Sequence, residues 1–121
     1  VYGPGAREQM LIPKILRDDV SYINVDHSRD FIYIEDLLTA INFLIVNKPP
    51  RKRKVIDVGT GASHNLLDIL SHLNMEVKDK RMGTIFERKD NKANIGTLTK
   101  MGWMPTIDLF DYLKGEKNGD I

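Results

Sequence analysis

The 121-residue chain balances 18 lysines and arginines against 17 acidic residues, so with a formal net charge of +1 it has no global basic field to draw nucleic acid and no acidic tail. Its 41% hydrophobic and 29% charged residues describe a globular chain, and the length suits a single domain. The absence of cysteine excludes a disulfide framework, a thiolate metal site and a cysteine nucleophile, and agrees with a cytoplasmic location.

The opening "VYGPG" reads as the end of a strand running into a tight loop, with proline fixing φ and the glycines permitting a left-handed backbone. A domain seldom starts inside such an element, so the sequence is expected to be part of a longer chain. From Ala6 to about Arg17, Met10, Leu11, Ile15 and Leu16 recur at helical spacing, with Pro13 as a kink or helix start. "SYINV" alternates as a strand does, "HSRD" turns the chain, and "FIYI" is a second short strand. Glu35 or Asp36 then caps a helix whose apolar face is Leu37, Leu38, Ile41, Leu44 and Ile45, ended by "NKPP". Its "FLIV" is the longest apolar run, far too short to span a bilayer, so no membrane partner is expected.

The basic block Arg51 to Lys54 reads as a solvated loop, with an anion site as the alternative. "KVIDVGTG" reads as a buried strand entering a glycine turn, and Ser63 as the N-cap of a helix bearing Leu66, Leu67, Ile69, Leu70 and Leu73. "TIFER" is a weak strand. Ile95 to Met101 is a short helix stopped by "GW" and a proline, and Thr106 caps a final helix through Leu109, Phe110 and Leu113, with Gly115 near its end. Strands alternating with helices indicate an α/β or α+β arrangement.

"VIDVGTGAS" is the most conspicuous local signal. An apolar strand followed by D-x-G-x-G resembles the first motif of methyltransferases that bind S-adenosylmethionine. Against this, Ala62, Ser63 and His64 stand where a further glycine is usual, and only about sixty residues follow, too few for the remaining βα units of such a fold. The same letters resemble "YNVGTG", a late strand of the extended short-chain dehydrogenases.

That second resemblance extends over essentially the whole chain. "VYGPG" resembles the family's "NVYGP", "SRDFIYIEDLLTAI" its "RDFIYVDDVAEA", "VIDVGTGAS" its "YNVGTGKS", and "KMGWMPTIDLFDYL" its "LGWKPTVSLEEGL". All of them occur in the family's order. The sequence departs at Asp57, where asparagine is more usual.

The resemblance implies an α/β fold: the C-terminal, substrate-binding part of a Rossmann-type extended short-chain dehydrogenase, a nucleotide-sugar epimerase or dehydratase, with an incomplete sheet. The family's N-terminal half holds NAD or NADP through a G-x-x-G-x-x-G loop, and its centre carries a catalytic Tyr-x-x-x-Lys. Neither motif is present, since Tyr2, Tyr22, Tyr33 and Tyr112 all lack a lysine four residues on. No catalytic residue is therefore assigned, the chain alone is expected to be silent, and no cofactor is expected to bind it tightly.

The expected partner is a nucleotide-diphosphate sugar. Two phosphate charges suit a planar guanidinium, and the arginine of the family's "RDF" contacts that diphosphate, so Arg29 inherits the role and should face a cleft near the "VYGPG" turn. A surface arginine is the alternative. Asp30 would orient Arg29 or cap the turn. "ERKDN" lies where relatives have "RPGD", so Arg88 and Asp90 are carried as substrate contacts, with a solvated loop as the alternative. Arg7 stands where many relatives place a basic residue near the substrate, and Asn24 lies on the strand that lines the nucleoside pocket. Tyr2 and Pro4 would sit beside the nicotinamide, Pro4 by backbone and shape, with packing as the alternative for Tyr2.

His27, His64 and His72 are not spaced as ligands, so no metal is expected. Trp103 reads as a packing anchor. The rival function is a non-catalytic binding or scaffold module derived from such an enzyme, whose exposed apolar surface favours self-association.

Overall fold

The computed structural model describes residues 1–49, 55–83 and 90–118. Helix α1 spans Leu11–Leu16 and buries Ile12 and Ile15. It is shorter than the expected helix from Ala6. Pro13 has no N–H for a carbonyl one turn back, so it must lie in the first turn, where that donor is unneeded. The preceding residues form turns instead, with Ala6 N–H on the Gly3 carbonyl and Met10 N–H on that of Arg7.

Strand β1, Tyr22–Asn24, buries Ile23 on one face. The "HSRD" segment, expected as a turn, contains strand β2, Ser28–Arg29. "FIYI" forms no regular ladder among the described residues: Tyr33 is extended and makes an isolated parallel bridge with Tyr2, and Ile34 already begins a helix. The next residue, Gly3, has a φ of 128° and turns the backbone away, which ends the pairing.

Helix α2, Ile34–Val46, starts at Tyr33 without a side-chain cap. Glu35 and Asp36 lie in its first turn, where carboxylates meet the exposed amides, but neither is its N-cap. Residues 55–58, expected as a buried strand, join no ladder among the described residues; Val55 is exposed, while Ile56 and Val58 lie against a core.

Strand β3, His64–Asn65, leads directly into α3, Leu66–His72. The N-cap is Asn65 rather than Ser63: its Oδ1 accepts from Leu67 N–H at 2.9 Å and Asp68 N–H at 3.3 Å. Then come β4, Asp79–Arg81, and β5, Asp90–Asn91. "TIFER" and the basic block at 51–54 lie outside the described residues. Helix α4, Gly96–Met101, is stopped by Gly102 at a φ of 110°, a left-handed cap that glycine adopts without a Cβ penalty. Helix α5, Leu109–Asn118, runs past Gly115, and Asp108, not Thr106, accepts an amide of its first turn, that of Asp111.

The strands form two small sheets. β1 pairs in parallel with β4, and β2 lies between antiparallel β3 and parallel β5. Two cores flank them. One gathers Ile15, Ile23, Ile69 and Leu113 from α1, β1, α3 and α5, with Tyr2 of the opening segment. The other packs Ile32, Ala40, Leu98 and Trp103. The indole Nε1–H of Trp103 donates to Thr39 Oγ1, so its polar edge is satisfied as its ring anchors α4 on α2. No helix among the described residues is long and apolar enough to cross a membrane.

Candidate functional site

The segment from Ser28 to Asp36 ties the other signature segments together. Asp30, just past β2, accepts from Thr60 N–H at 3.0 and 3.1 Å, from Gly61 N–H at 2.9 Å, and from the Thr60 hydroxyl. A further amide, that of Ala93, reaches the same carboxylate at 3.2 Å. The glycine turn therefore does wrap an anion, but the anion belongs to the chain itself. A Cβ at Gly59 would stand 2.7 Å from Asp30 Oδ2 and 2.6 Å from the Ala93 Cβ, which explains the first glycine. Gly61 has a φ of 81°, which explains the second.

Asp36 repeats the device in α2. It is 2% exposed and accepts from Thr106 N–H at 3.1 Å, Thr106 hydroxyl at 2.9 Å and Ile107 N–H at 2.9 Å. Thr106 thus anchors the approach to α5 by binding an aspartate on another helix. The "VYGPG" turn joins through backbone: Tyr2 N–H donates to Ile32 C=O at 2.9 Å, and Ile34 N–H to Tyr2 C=O at 2.8 Å. Tyr2, Tyr33 and Tyr112 pack ring on ring at 5.0 to 5.5 Å between centroids. Tyr2 is 1% exposed, its hydroxyl has no hydrogen-bond partner among the described residues, and burial, with the Asp108 and Asp36 charges, pushes that hydroxyl well above the usual tyrosine pKa.

Arg29 is half-buried on β2, level with His64 on one neighbouring strand and Asn91 on the other. Its Nη1 donates to the Ser28 carbonyl at 2.8 Å, and its Nη2 is 3.5 Å from His27 Nδ1. It does not line the hollow at the "VYGPG" turn, where the expected cleft would lie. Asp90 is exposed on β5, level with Ser28 and one residue along from Arg29. Arg88 lies outside the described residues.

Tyr2, Pro4 and Arg7 line one hollow of about 250 Å³ with Met10 and Ile34. Asn24 lines a separate hollow of about 180 Å³ between α1 and β1, with Lys14, Tyr22 and Leu66. The expected site residues that are described thus fall into three places: the paired strands β2 and β5, the opening turn, and the β1 hollow. The carboxylate clamps of Asp30 and Asp36 escape sequence reasoning because their threonines are distant. Asn65 could have been found from its place directly before "LLDIL", since asparagine is a favoured N-cap.

No family model matches the chain. CDP-abequose synthase of Salmonella muenchen is 26% identical over a match covering 85% of this chain and 39% of its own. UDP-glucuronic acid 4-epimerase of Bacillus cereus, solved with UDP-glucuronic acid and NAD, is 29% identical at a TM-score of 0.75 over 97% of this chain and 41% of its own. UDP-N-acetylglucosamine 4-epimerase of Methanobrevibacter ruminantium, solved with UDP-N-acetylmuramic acid, shares the fold at 22% identity and a TM-score of 0.69, over 96% and 41%. The chain spans about two-fifths of the length of these relatives.

Proposed function

Because this chain belongs to the extended short-chain dehydrogenase/reductase superfamily and matches its carboxyl-terminal part, we propose that it forms the sugar-nucleotide side of the cleft of an NAD(P)-dependent nucleotide-sugar epimerase or dehydratase. The observation that carries this reading is the linkage of the signature segments. Asp30 holds the glycine turn, Asp36 holds the "PT" approach to α5, and Ile32 and Ile34 hold Tyr2. Segments distant in sequence are thereby fixed around one strand and helix.

In this reading Arg29 meets the diphosphate of the substrate, because a guanidinium presents paired donors to phosphate oxygens. Asp90 and Arg88 contribute from the neighbouring segment, Arg7 from the opening turn, and Asn24 from the nucleoside side. NAD or NADP supplies hydride chemistry when bound. This chain's contribution there is shape: the ring of Tyr2 is committed to packing, so the turn backbone and the exposed Pro4 form the wall beside the nicotinamide. With no Tyr-x-x-x-Lys, the chain by itself does not catalyse the reaction.

Two features support a covering nucleotide-binding half. Helix α2 carries an exposed apolar stripe besides its buried face: Ala40 is buried, yet Leu38 is 56% and Ile45 72% exposed. A contiguous exposed apolar stripe marks a surface that another part of a protein covers. Beside it, residues 55–58 join no ladder among the described residues. The second reading, a binding or scaffold module, rests on that same exposed face, through which isolated chains would self-associate. A cytoplasmic location follows from the enzymatic reading.

Calorimetric titration with UDP-, GDP- and TDP-sugars tests the proposal. Binding of one of them supports it; binding of S-adenosylmethionine instead points to a methyltransferase, and binding of neither leaves the scaffold reading.

A further inference from the structure

Asp30 and Asp36 each meet a threonine N–H, the same threonine's hydroxyl and the next residue's N–H. We propose that the Thr60–Gly61 turn, with the amide of Ala93, is a receptor for a small carboxylate anion, filled by the Asp30 side chain and able to take free acetate when that side chain is removed. This inference does not depend on the sugar-nucleotide reading.

The donors come from backbone that Asp30 does not belong to. Thr60 and Gly61 contribute from one loop and Ala93 from another. Successive amides turned toward one point form an anion-binding concavity whatever anion sits there. The receptor's wall is the bare Cα of Gly59, where a Cβ would come within 2.7 Å of the carboxylate oxygen. A planar group with two oxygens suits this set, since Thr60 N–H lies 3.0 and 3.1 Å from the two oxygens.

Access separates the two clamps. Asp30 is half-buried and, with Gly59 and Ala93, lines a hollow of about 260 Å³. Asp57 and Lys92 also line it, one charge of each sign. Asp36 is 2% exposed, so a free anion reaches the first receptor but not the second.

The test is chemical rescue. Asp30→Gly removes the atoms that acetate replaces, and should melt below the intact chain. Its melting temperature should rise with the logarithm of acetate concentration, but not with chloride at equal ionic strength. The intact chain, Asp30→Asn, whose amide still fills the space, and Asp36→Gly should show no acetate-specific rise. If Asp30→Gly is unfolded in buffer, acetate should restore its helical circular dichroism. An acetate response no larger than that to chloride, or an equal response from Asp36→Gly, would overturn the receptor.

Discussion

The carboxylate of Asp36 and the backbone and hydroxyl of Thr106 are joined across 70 residues, with hydrogen bonds of 2.9 and 3.1 Å. This contact binds the approach to α5 to the first turn of α2. Hydrogen bonds to a carboxylate contribute about 1.5–3 kcal/mol each, and stranding buried donors adds desolvation cost. Asp36→Ala should therefore lower unfolding free energy by about 3 kcal/mol or more. Thr106→Val, which keeps the amide, should cost about 1–2 kcal/mol. Urea denaturation of both variants and their double mutant checks this: strong non-additivity is expected for one shared contact.

Gly59→Ala should be far more disruptive than an exposed loop substitution. The added methyl would meet both Asp30 Oδ2 and the Ala93 Cβ at under 3 Å. Neither neighbour can withdraw without releasing the clamp, so a loss of about 2–4 kcal/mol is expected. Gly5→Ala is the comparison, since no atom lies within 4 Å of a Cβ there, although its φ of 86° leaves some strain. Thermal melts of the two variants should separate clearly.

The buried Tyr2 hydroxyl makes stability sensitive to alkali. Burial raises its pKa above the ordinary 10.0, and burial also raises that of Tyr112. An unfolded tyrosine then loses its proton first while the folded chain keeps it. The stabilising contribution is full below about pH 10 and is lost as pH rises beyond it. Tyr2→Phe should reduce the alkaline slope and, by removing a hydroxyl without a partner, leave stability at pH 7 unchanged or raised by up to about 1 kcal/mol. Denaturation measured from pH 8 to about 11 checks both signs.

The outer face of α2 should drive self-association of this polypeptide. Leu38, Ile41 and Ile45 lie on one exposed stripe at helical spacing. Leu38→Lys with Ile45→Lys should shift sedimentation toward monomer without lowering the melting temperature, because both side chains are largely outside the core. An unchanged sedimentation profile would show that this face does not carry the association.

Helices with a marked apolar repeat were legible from the sequence, as α2 and α3 show, and α4 was legible from its stop signals. The ladders were not: β2, β3 and β5 have two residues each, too few for alternation to register. Local capping rules misplaced the polar anchors. Glu35 or Asp36 and Thr106 each read as a cap of the adjacent helix, yet Asp36 and Thr106 bind one another across the fold. Asp30 likewise finds Thr60 at a separation of 30 residues, which no local window spans. The β2 position of Arg29 differs again, because only the family resemblance singled it out; its spacing marks nothing by itself.

Phosphorus NMR of a UDP-sugar titrated with the chain tests the role of Arg29 most directly. The diphosphate resonances should shift and broaden with the intact chain and return toward their free positions with Arg29→Gln, while circular dichroism stays the same. An equal response from Arg29→Gln, or none from the intact chain with any sugar nucleotide, would contradict the assignment.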